Sequence, residues 1–181
     1  MKRSGPANIP PITQIGDPVL QDIAQSVPVK DITSPRIAAI IEKMKIALAS
    51  QKDGVAIAAP QIGVPLRIFV VSGFALHTAT NSSKKYDPHT NGDTVYINPK
   101  LTKLSREKEN LDEGCLSVRW QYGRVRRSKK ASVRAYNERG EVFERGASGL
   151  LAQIFQHETD HLEGVLFIDK ATELQELPPE K

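Results

Sequence analysis

From Leu150 to Glu163 the chain runs without proline or glycine, after Ser148, a residue type that caps helices, and before Gly164, where a helix can stop. This segment constrains the fold more than any other, because it carries His157-Glu158-Thr159-Asp160-His161, an H-E-x-x-H pattern. Two histidines four residues apart lie about 40° apart around a helix axis, so both rings can meet one metal ion while Glu158 reaches the water bound there. The same pattern also arises by chance in helices whose histidines are only surface groups. Leu150 and Ile154 share the face of His157, Glu158 and His161, so the polar trio prolongs an apolar stripe into the interior. Unpaired charge is costly there unless metal or hydrogen bonds compensate.

A catalytic zinc-like site takes three protein ligands and leaves one position open. The lone cysteine, Cys115 in Glu113-Gly114-Cys115-Leu116-Ser117, is the third donor at hand. It cannot form an internal disulfide, and its competing readings are a buried small hydrophobe or a reactive thiol. Gly114 favours the ligand reading, since glycine lets the backbone approach another group closely. A third constellation, Gly54-Val55-Ala56-Ile57-Ala58-Ala59-Pro60-Gln61, is a run of small residues ending in an amide. It lacks G-x-G-x-x-G, which argues against a phosphate cradle; taken alone it is a tight turn beside a buried strand.

The rest of the chain supplies the frame. Its 181 residues are the length of one domain, and apolar and charged fractions of 39% and 25% exclude disorder of the whole chain. No run approaches the roughly 18 apolar residues of a membrane span, and the start MKRSGPANIPP lacks a signal peptide's apolar centre. A soluble, cytoplasmic protein without membrane association is expected. Asp17-Pro18 predicts a short helix over 18–25. Thr33 and Ser34 before Pro35, with Ile37, Ile40, Ile41, Met44 and Leu48 at helical spacing, predict a packing helix to about Ser50.

Residues 67–72 and 94–98 read as strands, the second ended by Pro99, and 77–93 as an exposed polar excursion whose His77 and His89 are solvated. Residues 132–136 and 141–144 alternate as two strands joined by a turn at 137–140. Strands around two sizeable helices, without regular βαβ alternation, predict an α+β fold of mostly antiparallel strands around a C-terminal metal-binding helix.

Charge is unevenly spread. Lys and Arg total 25 against 21 acids, and Arg119, Arg124, Arg126, Arg127, Lys129, Lys130 and Arg134 fall in one stretch that holds no acid. Such a band is either a solvated strand face or a contact for phosphates. Trp120 and Tyr122 within it either stack on RNA bases or pack into a strand pair.

Together the three site segments resemble the peptide deformylase family, whose motifs are G-Φ-G-Φ-A-A-x-Q (Φ apolar), E-G-C-L-S and an H-E-x-D-H core followed by Leu and Gly. The second matches fully at 113–117 and the third at 157–164, while the first departs once, with Ala56 in place of the second glycine. Looser similarity runs from Gly16-Asp17-Pro18-Val19-Leu20 through Ile97-Asn98-Pro99 to Phe167-Ile168-Asp169. The resemblance implies a single catalytic domain over 1–181, a metal-dependent hydrolase removing the formyl group from the N-terminal formyl-methionine of newly made polypeptides and releasing formate. N-formylmethionyl nascent peptides are then its partners, with the basic band a candidate for transient ribosome contact, and neither DNA nor membrane is involved.

By position, Cys115, His157 and His161 would bind one divalent ion, Fe(II) in the first instance, with zinc, nickel or cobalt also able to occupy the site. Glu158 would take a proton from water and protonate the leaving amine, while the backbone N–H of Leu116 and the side chain of Gln61 would hold the developing oxyanion. Val55, Leu150 and Ile154 resemble positions lining the methionine pocket, and Ala56 and Gly114 positions beside the substrate backbone. The family also places an arginine near position 127, which would pair with Glu113, and Asp160 would orient its surroundings. Arg119-Trp120 replaces the usual Pro followed by Gly or Glu, so the outer cleft is expected to differ. The competing readings are a zinc peptidase, which the H-E-x-x-H pattern alone fits, and an RNA-binding module built on the basic band.

Overall fold

The side of the sheet that each strand residue faces sets the layers of this molecule. The computed structural model describes residues 9–80, 85–87 and 92–178. Along the chain run α1 (Pro35–Ala49), β1 (Ala56–Ala58), β2 (Ile68–Val71), α2 (Gly73–Ala79), β3 (Thr94–Leu104), β4 (Lys108–Cys115), β5 (Val118–Ser128), β6 (Lys130–Tyr136), β7 (Val142–Ser148), α3 (Gly149–Leu162) and β8 (Thr172–Glu176). One antiparallel sheet has the order β1-β2-β3-β6-β7 and a second the order β4-β5-β8. Ala56, Ala58, Phe69, Val71 and Tyr96 join Ile154 and Phe155 of α3 in one core, whereas Ile57, Ile68, Val70, Val95 and Ile97 join Ile37, Ile41 and Met44 of α1 in another. The large sheet is thus covered on both faces, which is why β2 reads as an unbroken apolar run. Rings of Phe69 and Tyr96 stack at 4.5 Å, and Phe155 of α3 meets Tyr96 edge-on at 5.4 Å. A third core around Leu20, Val118, Val125 and Phe167 supports the small sheet. The α+β architecture matches the expectation.

The helices begin and end for identifiable reasons. Ser34 Oγ accepts from the Ile37 N–H at 3.4 Å, with Pro35 in the first turn of α1. Ser148 does not cap α3 as expected: β7 runs into it, its side chain accepts no capping bond, and Gly149 at φ 58° turns the corner. At the far end Gly164 has φ 71°, and a Cβ there would stand 2.3 Å from the Gln21 carbonyl oxygen, so only glycine lets the chain pass.

Three expectations are corrected. The 18–25 helix is a single 3₁₀ turn, Pro18–Leu20, with Asp17 Oδ1 accepting from the Val19 N–H at 3.0 Å. Beyond it Ala24 N–H donates to Leu162 O at 3.0 Å and Gln25 N–H to Pro65 O at 2.9 Å, so tertiary partners replace helical ones. Pro99 does not end its strand either. β3 continues through an irregularity between Ile97 and Lys100, where Asn98, at φ 51°, exchanges side-chain bonds of 2.8 and 2.7 Å with the Val27 backbone. His77 lies in α2, which Ser72 caps, and its ring meets Tyr86 at 5.7 Å; His89 lies outside the described residues. Among the described residues no helix is long and apolar enough to cross a membrane.

Candidate metal centre and cleft

The small sheet supplies one donor of the cluster and α3 the other two. Cys115 ends β4 and pairs with Val118 across the two-residue connection Leu116–Ser117, which fixes its backbone. His157 and His161 stand one turn apart on α3, their ring centroids 5.0 Å from each other. One ligand atom from each of Cys115, His157 and His161 lies within 4.8 Å of the other two, and Cys115 Sγ is 3.2 Å from His161 Nε2. Sulfur and nitrogen donors around one tetrahedral ion stand about 3 to 4 Å apart, so the cluster has the dimensions of such a site. Glu113 Oε2 is 2.9 Å from His157 Nδ1, which leaves Nε2 for the cluster.

The electrostatics of the cluster favour a positive charge beside the sulfur. Burial alone would raise the Cys115 thiol, but His161 and His157 outweigh it and hold the group well below its ordinary range. Burial would likewise lower His157, yet Cys115 and Glu113 raise it well above the usual imidazole value. A divalent cation meets the same demand, and a thiolate with two imidazoles is a donor set that binds first-row metals. Glu158 is buried beside the cluster, and its Oε2, like His161 Nδ1, finds no hydrogen-bond partner among the described residues. Burial raises the Glu158 carboxyl above the ordinary carboxylate range, against the lowering pull of His157 and His161.

A buried ion-pair frame stands behind the cluster. Arg127 grips Glu113 with two bonds, Nε to Oε1 at 2.7 Å and Nη2 to Oε2 at 2.9 Å, and reaches Asp160 Oδ2 with Nη1 at 2.6 Å. Lys170 closes the chain on Asp160 Oδ1 at 2.7 Å. Although burial would raise Glu113, bonds from Arg127 and His157 hold its carboxyl down to about 2. The expected pair of Arg127 with Glu113 is present. That the same carboxylate orients His157 was missed, though a glutamate two residues before a candidate ligand was the available signal.

In front of the cluster is a cavity of about 320 Å³, and every expected substrate-facing residue lines it: Val55, Ala56, Gly114, Leu150 and Ile154, with Gln61, Leu116 and Glu158. His161 lies buried beside these residues. Leu150 is 38% exposed, so it faces the cleft and not the core that its helical stripe suggested. Gln61 is locked by its Oε1, which accepts from the Ala58 N–H at 2.8 Å, while Nε2 donates to Ser117 Oγ at 3.2 Å and reaches Cys115 Sγ at 3.4 Å. Gly114 permits the close approach its sequence suggested, since a Cβ there would lie 2.8 Å from the Tyr122 ring.

Two supporting residues were missed. Gln153, one turn before His157 on the cleft side of α3, donates to Asp112 O at 2.9 Å, and its i, i+4 spacing was the overlooked sign. Gln14 donates to Leu116 O at 3.0 Å and ties the N-terminal segment to the site. The basic band, by contrast, is no continuous free face: Arg127 is buried, and Arg119, Arg124 and Lys129 pair with Asp53, Asp112 and Glu107. Trp120 and Tyr122 line the cleft.

Comparison with known proteins follows the same geometry. Residues 9–177 match the sequence model of a family described as polypeptide deformylase. The chain is 41% identical over 160 residues to the peptide deformylase of Carboxydothermus hydrogenoformans, covering 88% of this chain and 91% of that protein. It is 39% identical over 165 residues to peptide deformylase 1A, chloroplastic, of Solanum lycopersicum, where the match takes in 90% of this chain and 59% of the plant protein. The chain therefore spans about three fifths of that relative's length. Among solved structures, a peptide deformylase from Thermotoga maritima aligns with a TM-score of 0.76 at 34% identity, over 91% of this chain and 99% of that one. A Synechococcus elongatus peptide deformylase in complex with actinonin aligns with a TM-score of 0.75 at 30% identity, over 96% and 85%.

Proposed function

Because the chain belongs to the polypeptide deformylase family and is a hydrolase that removes the formyl group from nascent peptides, we propose that Cys115, His157 and His161 hold one divalent metal ion and that Glu158 carries the protons of the reaction, all within a single catalytic domain. The observation that supports this most is the convergence of three donor atoms within 4.8 Å beside a cleft that Glu158 also lines. When bound, the ion supplies the Lewis acidity that acidifies water and polarises the formyl carbonyl. Fe(II), zinc, nickel and cobalt all suit a thiolate with two imidazoles.

The remaining work belongs to the chain. Glu158 accepts a proton from the attacking water as the water oxygen adds to the formyl carbon. It then delivers that proton to the amine nitrogen as the C–N bond breaks, so formate and a free N-terminal amine are the products. The backbone N–H of Leu116 and the Gln61 amide meet the charge that develops on the carbonyl oxygen. Gln61 is pre-set for this, because its carbonyl end is pinned to Ala58 while its Nε2, held by Ser117 Oγ, also reaches the Cys115 sulfur at the cleft. Val55, Leu150 and Ile154 take the methionine side chain, with Ala56 and Gly114 beside the peptide backbone. Glu113, held by Arg127, fixes the His157 ring.

Metal-loaded protein given formyl-, acetyl- and unmodified methionyl peptides tests the reading against a peptidase. Formate should appear from the formyl peptide, with the acetyl peptide about 10- to 200-fold slower for its extra methyl. Cleavage of internal peptide bonds, or equal rates on formyl and acetyl peptides, contradicts it.

A further inference from the structure

Against β4, β5 departs from regular pairing at one place. Cys115 faces Val118 and Gly114 faces Tyr122, so the three residues Arg119, Trp120 and Gln121 have no partner on β4 and bulge outward. Trp120 sits at the centre of the bulge with φ 67°, a conformation that bulky residues rarely take. Such strain persists only where the surroundings over-determine it, and here they do. Leu177 N–H donates to Trp120 O at 2.8 Å, and Gln121 pairs with Glu176 of β8. On the other side Arg119 spans the rim to the segment before β1, with Nη1 bonds of 2.9 and 3.3 Å to Asp53 and an Nη2 bond to Gln51. Its guanidinium carbon lies 5.9 Å from the indole centroid. The result is an indole that lines the cavity and is still 40% exposed, held by backbone and brace in an unfavourable conformation and packed into no core.

From this arrangement we infer that Trp120 is a specificity-determining residue of the outer cleft, favouring substrates that carry an aromatic side chain soon after the formyl-methionine; the inference rests on the deformylase reading. The methionine side chain is taken by the apolar group of Val55, Leu150 and Ile154, so a peptide leaving that group along the cleft must pass its rim. There the indole offers a flat surface whose backbone is held by the bond from Leu177 and whose ring lies against the Arg119 guanidinium, which lowers the cost of ordering it on binding. Arg119 is already paired with Asp53, so an acidic substrate side chain gains little from it, whereas an aromatic one gains stacking.

The experiment compares kcat/KM for formyl-Met-Ala-Ala with the same peptide carrying Phe at its second or third position. The protein should prefer a Phe peptide by about two- to tenfold at one of those positions. Trp120→Gly, which also removes the strained φ, should bring the ratio to one, and Trp120→Phe should restore most of it. Equal values for all three peptides, or a preference that survives in Trp120→Gly, overturns the inference while leaving deformylation intact. Absence of formate from every peptide overturns the deformylase reading and this inference together.

Discussion

Glu158→Ala is expected to retain its metal and to lose about 10² to 10⁴ in deformylation rate, the range that a positioned proton carrier contributes. Glu158 is outside the Cys115, His157 and His161 cluster, so its removal takes away no donor. Its carboxyl is buried beside that cluster, lines the cleft, and keeps Oε2 without a partner among the described residues. A buried carboxyl oxygen with nothing to bond costs stability, and one that serves the reaction has a reason to be kept. Asp160, two positions along α3, is the natural contrast. Its oxygens are taken by Arg127 and Lys170, so Asp160→Asn should disturb the frame and reduce the rate far less. Metal content measured beside formate release on both variants checks this, and near-full activity in Glu158→Ala contradicts the assigned role.

The second large effect is on stability. Arg127→Ala should destabilise the fold by about 3 to 5 kcal/mol, because it leaves a buried carboxylate without its cation. The Arg127 and Glu113 side chains are 4% and 3% exposed, and Asp160 would lose its closest partner at the same time. An exposed pair would cost under about 1 kcal/mol, so the size of the loss separates the two cases. For a chain of this length the expected loss is a fall of about 6 to 20 °C in Tm. Thermal unfolding followed by circular dichroism reads it directly, and an unchanged Tm shows that the buried pair is not needed to hold the fold. His157 should also be less well oriented in this variant, since Glu113 fixes its ring through Nδ1.

How much of this was legible in the sequence depended on where each element finds its partners. α1 and α3 were readable because their apolar positions repeat at helical spacing and a proline or glycine marks an end. The β6–β7 hairpin was readable because its turn is local. β4 was not: Lys108–Cys115 is polar and mostly exposed, and its strand conformation comes from pairing with β5, which no local pattern announces. The 18–25 segment and the strand through Pro99 failed for the same reason, with backbone bonds donated to the carbonyls of Leu162, Pro65 and Arg67 deciding what local propensity could not.

The site divided along similar lines. The proposed donors and proton carrier could be read because metal and proton chemistry admit few residue types at few spacings, and the structure brings Cys115, His157 and His161 into one cluster. The departure at Arg119-Trp120 was visible too, but its consequence was hidden. A bulge and a positive φ decide that the indole faces the cleft, and both are set by β4 and β8.

The most direct test of the account is a metal titration read by formate. Protein stripped of metal by a chelator should release no formate from a formyl-methionyl peptide. Stepwise return of a divalent ion under anaerobic conditions should restore activity in proportion, with a break at about one ion per chain, the number that one cluster of three ligands and an open position implies. Activity that survives complete removal of metal, or that stays absent once one ion per chain has bound, contradicts it.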